Sequence, residues 1–320
     1  MLNKYIEINR IEFLTTKRCN ANCKHCSVPI NSDQDGDSYN DIESVAACFR
    51  YLLDSYNISS TMAYGGEPLL CIESIVRLFE IASEYNVPTI DLITSGFVSH
   101  NTPKEQIASI VSKLSTSGVK RILLSVDAFH QERIPIENVE FFIEKVLELD
   151  FCQLLLHPAW LISEGDENLY NKKTYKILDV LRKKYSVRVS AGNRIIPSGS
   201  NKRNIGQFYE ARRIKMDKCG EIPYTNPLDK IKSIRILPDG SINICRGITI
   251  GNVFNQSIED IFENYYPGRP IISDLLYTQG VKGLYDFAVE YGIKVKPAEY
   301  FGTCDFCADC IHFLKERGVT

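Results

Sequence analysis

Apolar and polar residues alternate with two different periods along the first two-thirds of the chain. Short apolar runs predict β-strands, and the longer amphipathic stretches between them repeat with the period of a helix. The predicted strands cover 11–15, 61–64, 89–93, 121–126, 152–157 and 187–190. The predicted helices cover 41–54, a stretch ending near 85, 103–114, 136–149 and 168–185. Strands that alternate with helices favour a parallel sheet with right-handed crossovers, so the predicted fold class is α/β.

The pattern changes after about residue 207. Apolar runs at 234–237 and 241–244 flank Asp239–Gly240, a sequence typical of the turn in a β-hairpin. Short helical stretches follow at 257–265 and 284–291, and a last helix is predicted to follow Cys310 and to end near 316. We therefore expect a first domain at 1–206 and a smaller α+β domain at 207–320.

Composition restricts the class of protein. The chain has 320 residues, 44% hydrophobic and 24% charged, as in soluble globular proteins. A net charge of −3 gives no basic field for nucleic acid or an anionic membrane, so neither is an expected partner. The N-terminus lacks the apolar region of a secretory signal, which favours a cytoplasmic location. In that reducing compartment, eleven cysteines indicate metal ligation rather than disulfides.

Three of these cysteines, Cys19, Cys23 and Cys26, form a C-x-x-x-C-x-x-C motif directly after the first predicted strand. Thiolates are the ligands of iron–sulfur clusters, and three ligands on a 4Fe–4S cluster leave one iron open for a small molecule. A structural zinc site requires a fourth ligand, and His25 is poorly placed to supply it beside Cys26. The spacing therefore favours an iron–sulfur cluster.

This motif resembles the signature of the radical S-adenosylmethionine (radical SAM) superfamily. The resemblance implies that SAM chelates the open iron and that an electron from the cluster cleaves it. The product is a 5′-deoxyadenosyl radical, which abstracts a hydrogen atom from the substrate. It also implies a partial (β/α)6 TIM-like barrel and a reductant such as ferredoxin or flavodoxin. His25 stands where family members usually have an aromatic residue.

A second motif, Gly65, Gly66, Glu67 and Pro68, follows the second predicted strand. Adjacent glycines let a backbone approach a ligand closely and give it a free choice of φ. The motif resembles the one that hydrogen-bonds the amino group of SAM in the family. The carboxyl ends of the strands are also where parallel α/β folds place their sites.

The resemblance assigns further cofactor contacts to polar residues at the strand ends. Ser95, Ser125 and Asp127 would contact the ribose and the methionine carboxylate, and capping of the following helices is the open alternative. Asn193 opens the segment that would pack against the adenine. His130 lies in a loop at the same edge, where it is either a substrate contact or a solvated residue.

Five cysteines in the C-terminal third resemble the SPASM/twitch extensions that hold auxiliary clusters in this superfamily. Two complete clusters need eight ligands, so we expect one auxiliary 4Fe–4S cluster. The favoured ligands are Cys219, Cys245, Cys304 and Cys307, with Cys310 as the alternative to Cys219. The remaining thiol would be free to donate a hydrogen atom. A four-cysteine zinc site has the same spacing and stays open.

The predicted protein is a radical SAM enzyme with a peptide or small-molecule substrate. Peptide modification would be crosslinking or epimerisation, and small-molecule chemistry would be oxidation. Peptide-modifying relatives often carry an N-terminal leader-binding domain, and the motif at Cys19 leaves no room for one, which weakens that hypothesis. The alternatives from other classes are a non-enzymatic iron–sulfur carrier or scaffold and a zinc-stabilised binding module.

Overall fold

A nine-stranded sheet forms the centre of the computed structural model, which describes residues 3–28, 39–210, 214–222 and 225–319. The strand order is β11-β10-β9-β1-β2-β3-β4-β5-β7, and β6 and β8 form a separate parallel pair. The strands are β1 (Ile6–Leu14), β2 (Ser60–Tyr64), β3 (Thr89–Thr94), β4 (Arg121–Ser125), β5 (Gln153–His157), β6 (Ala159–Leu161), β7 (Arg188–Val189), β8 (Asn193–Ile195), β9 (Ile231–Ile236), β10 (Ser241–Asn243) and β11 (Thr249–Asn252).

The helices cover the sheet and lie between its strands. They are α1 (Ile42–Ser55), α2 (Ile72–Glu84), α3 (Lys104–Thr116), α4 (Ile136–Leu149), α5 (Leu169–Tyr185), α6 (Lys202–Ile205), α7 (Ile258–Glu263), α8 (Ile271–Glu290) and α9 (Thr303–Lys315). None of the helices within the described ranges is long and apolar enough to cross a membrane.

The six strands predicted from the sequence are confirmed as β1, β2, β3, β4, β5 and β7, and each pairs in parallel with the next. Parallel pairing brings their carboxyl ends to one edge of the sheet, where residues from distant parts of the chain meet. The arrangement is that of a partial barrel, because the described strands do not close into a ring.

The sheet continues into the C-terminal third. The predicted hairpin is confirmed by the antiparallel pairing of β9 with β10, and β9 also lies parallel to β1. Ile234 and Phe262 are buried in the same apolar core as Phe13 and Phe49. A second core lies between α8 and α9 and includes Leu284. The boundary at 206/207 stays a prediction, and the main sheet spans it.

Two C-terminal predictions need correction. The last helix is predicted to follow Cys310, but α9 begins at Thr303 and contains Cys304, Cys307 and Cys310. The predicted helix at 284–291 is the second half of α8, which is interrupted at Gly280 with φ of 73°. The second apolar core explains both results, because it buries residues along the whole length of these helices.

Candidate active site

One cavity of about 130 Å³ brings the two sequence motifs together at the carboxyl ends of β1 to β4. The cysteine loop follows β1, and the glycine motif follows β2. Their residues share the cavity wall with two serines, one directly after β3 and one at the end of β4, so segments from four strand ends meet in space. The predicted residues that line it are Cys19, Cys23, Cys26, Gly65, Gly66, Glu67, Ser95 and Ser125.

The cysteine loop is held by side-chain amides and by an ion pair. The Nδ2 group of Asn20 donates to Val98 O at 2.6 Å. Asn201, which is buried, donates from Nδ2 to His25 O at 2.7 Å. Lys24 forms an ion pair with Glu132 at 2.9 Å. These contacts hold the cysteine loop in position.

The chemistry of the three thiols fits a metal cluster. Burial, and then the nearby Glu67, raises the pKa of Cys19 to about 11. Burial also raises the pKa of Cys23 and of Cys26. Thiolates at such positions require a cation to compensate their charge. No fourth cysteine of the described ranges lines this cavity, so the ligand set fits a 4Fe–4S cluster with one open iron.

The glycine pair lines the cavity and also packs against protein backbone. A Cβ atom at Gly65 would lie 2.5 Å from Thr16 O, and one at Gly66 would lie 2.0 Å from Arg18 O. Neither glycine has a positive φ. Gly66 N donates to Thr16 O and Glu67 N to Arg18 O, both at 2.7 Å. The glycines therefore dock the second motif against the start of the cysteine loop.

The Glu67 carboxylate is buried and saturated with hydrogen bonds. Oε1 accepts from Leu69 N at 3.0 Å and from Thr94 Oγ1 at 2.5 Å. Oε2 accepts from Ser95 N at 3.0 Å and from Ser95 Oγ at 2.5 Å. A carboxylate has about four acceptor positions, and all are used here. Glu67 thus ties the glycine motif to the end of β3, and its predicted contact with SAM stays a prediction.

Asp127 is saturated in the same way. Its Oδ1 accepts from Phe129 N and His130 N, and its Oδ2 accepts from His130 Nδ1 at 2.7 Å and from Ala159 N at 3.0 Å. Asp127 thus holds the turn at Phe129 and His130 and does not cap the following helix α4, whose N-cap is Pro135. His25, Asp127 and His130 lie close enough to share a metal ion, but this carboxylate has no acceptor position left for one.

A second cavity, of about 410 Å³, adjoins the first. His157 and Asn193 both line it, and their side chains are paired, with Asn193 Nδ2 at 2.9 Å from His157 Nε2. The other ring nitrogen of His157 lies 2.8 Å from Ser190 Oγ. This pairing orients the Asn193 side chain at the cavity wall.

Four of the five C-terminal cysteines line a third cavity, of about 260 Å³: Cys219, Cys245, Cys304 and Cys307. Burial raises the pKa of Cys219 to about 12, and the neighbouring Cys245 and Cys304 add to the shift. Cys310 is instead 0% exposed in the core between α8 and α9. The cavity therefore contains the favoured ligand set, and it fits a four-thiolate iron–sulfur or zinc site equally well.

Sequence reasoning missed Tyr64 and Arg246. The Tyr64 ring lies between the first two cavities, and Arg246 lies between the second and third. The position of each residue beside a predicted site residue is a signal in the sequence that could have identified it. Tyr64 directly precedes Gly65, and Arg246 directly follows the predicted ligand Cys245.

Comparison with known proteins supports the class indicated by this geometry. Residues 13–149 match the family model of the Radical SAM superfamily. The GTP 3′,8-cyclase of Desulforamulus reducens is 28% identical over 164 residues, which are 48% of this chain and 46% of that protein. The enzyme of the same name from Moorella thermoacetica is 26% identical over 131 residues, 40% and 37% of the two chains. The chain thus matches less than half the length of these curated relatives.

A solved structure extends the likeness to nearly the whole chain. Native anSMEcpe with bound AdoMet, which is SAM, has 14% sequence identity and a TM-score of 0.52. The match covers 98% of this chain and 97% of that one. At this identity the likeness shows the fold alone, and the shared fold includes the C-terminal third of the chain.

Proposed function

We propose that this protein is a radical SAM enzyme in which Cys19, Cys23 and Cys26 hold a 4Fe–4S cluster and SAM binds its open iron. The observation that carries the proposal is the single cavity that contains the three thiols, the glycine motif, Ser95 and Ser125. When bound, the cluster and SAM supply a 5′-deoxyadenosyl radical that abstracts hydrogen from a substrate.

The protein's own residues position the cofactor. The amides of Asn20 and Asn201 hold the cysteine loop, and the glycine pair sets the distance between that loop and the end of β2. Ser125 lines both of the first two cavities, which supports its proposed contact with SAM. Asn193, oriented by His157, lines the cavity into which the adenosyl group would extend.

We assign one auxiliary 4Fe–4S cluster to Cys219, Cys245, Cys304 and Cys307. Their shared cavity supports this ligand set. Cys310 does not line that cavity, which argues against its use as a ligand, and it is 0% exposed, which argues against its use as a hydrogen-atom donor to substrate.

The proposed substrate is a peptide or a small molecule. The curated relatives named GTP 3′,8-cyclase make a nucleotide the first small molecule to test. A ferredoxin or flavodoxin would supply the electron, and the proposed location is the cytoplasm.

The test is formation of 5′-deoxyadenosine by anaerobically reconstituted, dithionite-reduced protein with SAM, measured by mass spectrometry. We expect product from the wild type and from Cys48→Ala, which removes a buried thiol of α1 outside the cavity. Cys23→Ala should form none. If the wild type carries full iron and cleaves no SAM with any substrate class, the non-enzymatic carrier is the better interpretation. Zinc without iron would favour the binding module.

A further inference from the structure

The cavity of about 410 Å³ is lined by basic residues and by no acidic one. Among the described residues that form its wall, two are arginines, three are histidines, and none is Asp or Glu. A cavity of this size suits a small ligand, and a wall with one sign of charge attracts a ligand of the opposite sign. The positive charge of the wall comes from Arg194 and Arg246, because burial lowers the pKa of His25 and of His157, and His130 is paired with Asp127.

Arg246 occupies the wall between this cavity and the one lined by the C-terminal cysteines. Among the described residues it makes two long contacts: an ion pair in which Nη1 lies 3.3 Å from Asp305 Oδ1, and a contact in which Nη2 lies 3.5 Å from Ser198 Oγ. A guanidinium has five N–H donors, so most of them remain available to a ligand. The side chain is 43% exposed, which leaves it accessible from the cavity.

Tyr64, which lines the same cavity, provides a second donor. Its hydroxyl is buried and has no hydrogen-bond partner among the described residues. A buried hydroxyl without a partner costs free energy, so its position indicates a group that completes it. The guanidinium of Arg235 lies 5.5 Å from the centre of the Tyr64 ring and holds the ring in place.

We propose that the substrate carries an acidic group, a carboxylate or a phosphate, which binds between Arg246 and the Tyr64 hydroxyl. Arg194 adds positive charge on the same cavity wall. This inference rests on the proposed function, because it assigns the substrate class of that same site. Charge-assisted hydrogen bonds from a guanidinium are strong enough to fix the orientation of a substrate. An anchor at Arg246 directs the rest of the molecule toward Ser125 and the three thiols.

Two other assignments of Arg246 give different results. It is a SAM ligand if it binds the methionine carboxylate, and it is a countercharge if it only stabilises four thiolates around an auxiliary metal. The first assignment requires Arg246→Gln to weaken SAM binding. The second requires the same variant to lose auxiliary metal.

The experiment is calorimetric titration of the reconstituted, SAM-loaded protein under anaerobic conditions. The probes are pyrophosphate for the phosphate source and citrate for the carboxylate source, with glycerol as the neutral control. We expect saturable binding of one anion and about tenfold weaker binding to Arg246→Gln. Tyr64→Phe should weaken binding about fivefold. Arg182→Gln removes an exposed arginine of α5 outside the cavity and should bind as the wild type does.

Three outcomes overturn the inference. The first is no saturable binding of either anion, and the second is a loss of anion affinity in Arg182→Gln equal to that in Arg246→Gln. The third is that Arg246→Gln loses as much SAM affinity or auxiliary iron as it loses anion affinity. If Arg246→Gln does not fold, two other variants are compared: Arg246→Lys, which keeps the charge, and the double variant Arg194→Gln with Tyr64→Phe. Arg246→Lys must then retain the higher anion affinity of the two. Because binding is measured without turnover, anion binding with no 5′-deoxyadenosine formation refutes the proposed function and leaves the anion site intact.

Discussion

Replacement of Gly66 by alanine tests whether the glycine motif docks against the cysteine loop. The added Cβ would lie 2.0 Å from Arg18 O and 2.5 Å from Arg18 C. Both are backbone atoms, which do not move aside as a flexible side chain does. The strand end or the cysteine loop must therefore shift, and the hydrogen bonds at Gly66 N and Glu67 N lengthen.

The expected loss is about 2–4 kcal/mol in the free energy of unfolding. Overpacking of a filled site costs about 1–3 kcal/mol, and a weakened backbone hydrogen bond adds about 1 kcal/mol. Gly65→Ala should cost less, because its Cβ would lie 2.5 Å from Thr16 O rather than 2.0 Å from Arg18 O. The matched control is Gly165→Ala, since a Cβ at Gly165 meets nothing within 4 Å.

The assay combines urea unfolding of the metal-free protein with iron content after anaerobic reconstitution. Iron is measured in a background with Cys304→Ser and Cys307→Ser, so that it reports the first site alone. We expect Gly165→Ala to match the parent in both measurements and Gly66→Ala to lose stability and iron. If Gly66→Ala unfolds at the urea concentration of Gly165→Ala and binds full iron, the docking argument is wrong.

Three further predictions follow from buried polar groups and thiols. Glu67→Gln should lose about 2–3 kcal/mol in urea unfolding, because an amide cannot accept all four hydrogen bonds of the carboxylate. Burial alone would raise the pKa of Asp127 and lower the pKa of His130. The attraction between the two groups is larger, so the pKa of Asp127 lies below its usual value and the pKa of His130 lies above its usual value. The stability that Asp127 contributes is lost as pH falls, and that of His130 is lost as pH rises above about 6.5, so His130→Gln should cost more stability at about pH 5.5 than at about pH 9.5. Elemental analysis should show loss of the auxiliary metal on substitution by serine of each of Cys219, Cys245, Cys304 and Cys307.

Each of these three predictions has a matched control variant and a result that would contradict it. Glu43→Gln alters an exposed ion pair and should change stability by less than about 0.5 kcal/mol; an equal effect of Glu67→Gln would contradict the buried network. A cost of His130→Gln that does not depend on pH would refute the ion pair. Cys310→Ser should keep the auxiliary metal while losing stability, since it places a hydroxyl in an apolar core. Loss of metal in that variant, with metal retained in Cys219→Ser, would replace Cys219 by Cys310 as ligand.

Local signals in the sequence were sufficient to predict most strands and helices of the core. The side-chain period of each strand and helix is set within a few residues, so all six parallel strands and the helices between them were predicted. Their limits lie close to the predicted ones except in β1, which begins at Ile6 rather than at residue 11. Two of these helices were predicted to begin at Asp41 and Asn168, and both residues are N-caps that accept a hydrogen bond from the first turn. The cysteine motif and the glycine motif also identified the cavity, because each follows a strand end directly.

The sequence by itself thus determined the parallel strands, the helices and the three-thiol loop, all of which depend on neighbouring residues. Only the tertiary structure decided that β9 joins β1, that Glu67 is saturated by Thr94 and Ser95, and that Arg246 meets Ser198 and Asp305 between two cavities. The side-chain partners lie 27 or more residues apart. No local period encodes such pairs, since they form only when the sheet brings the strand ends together and packs the C-terminal helices beside them.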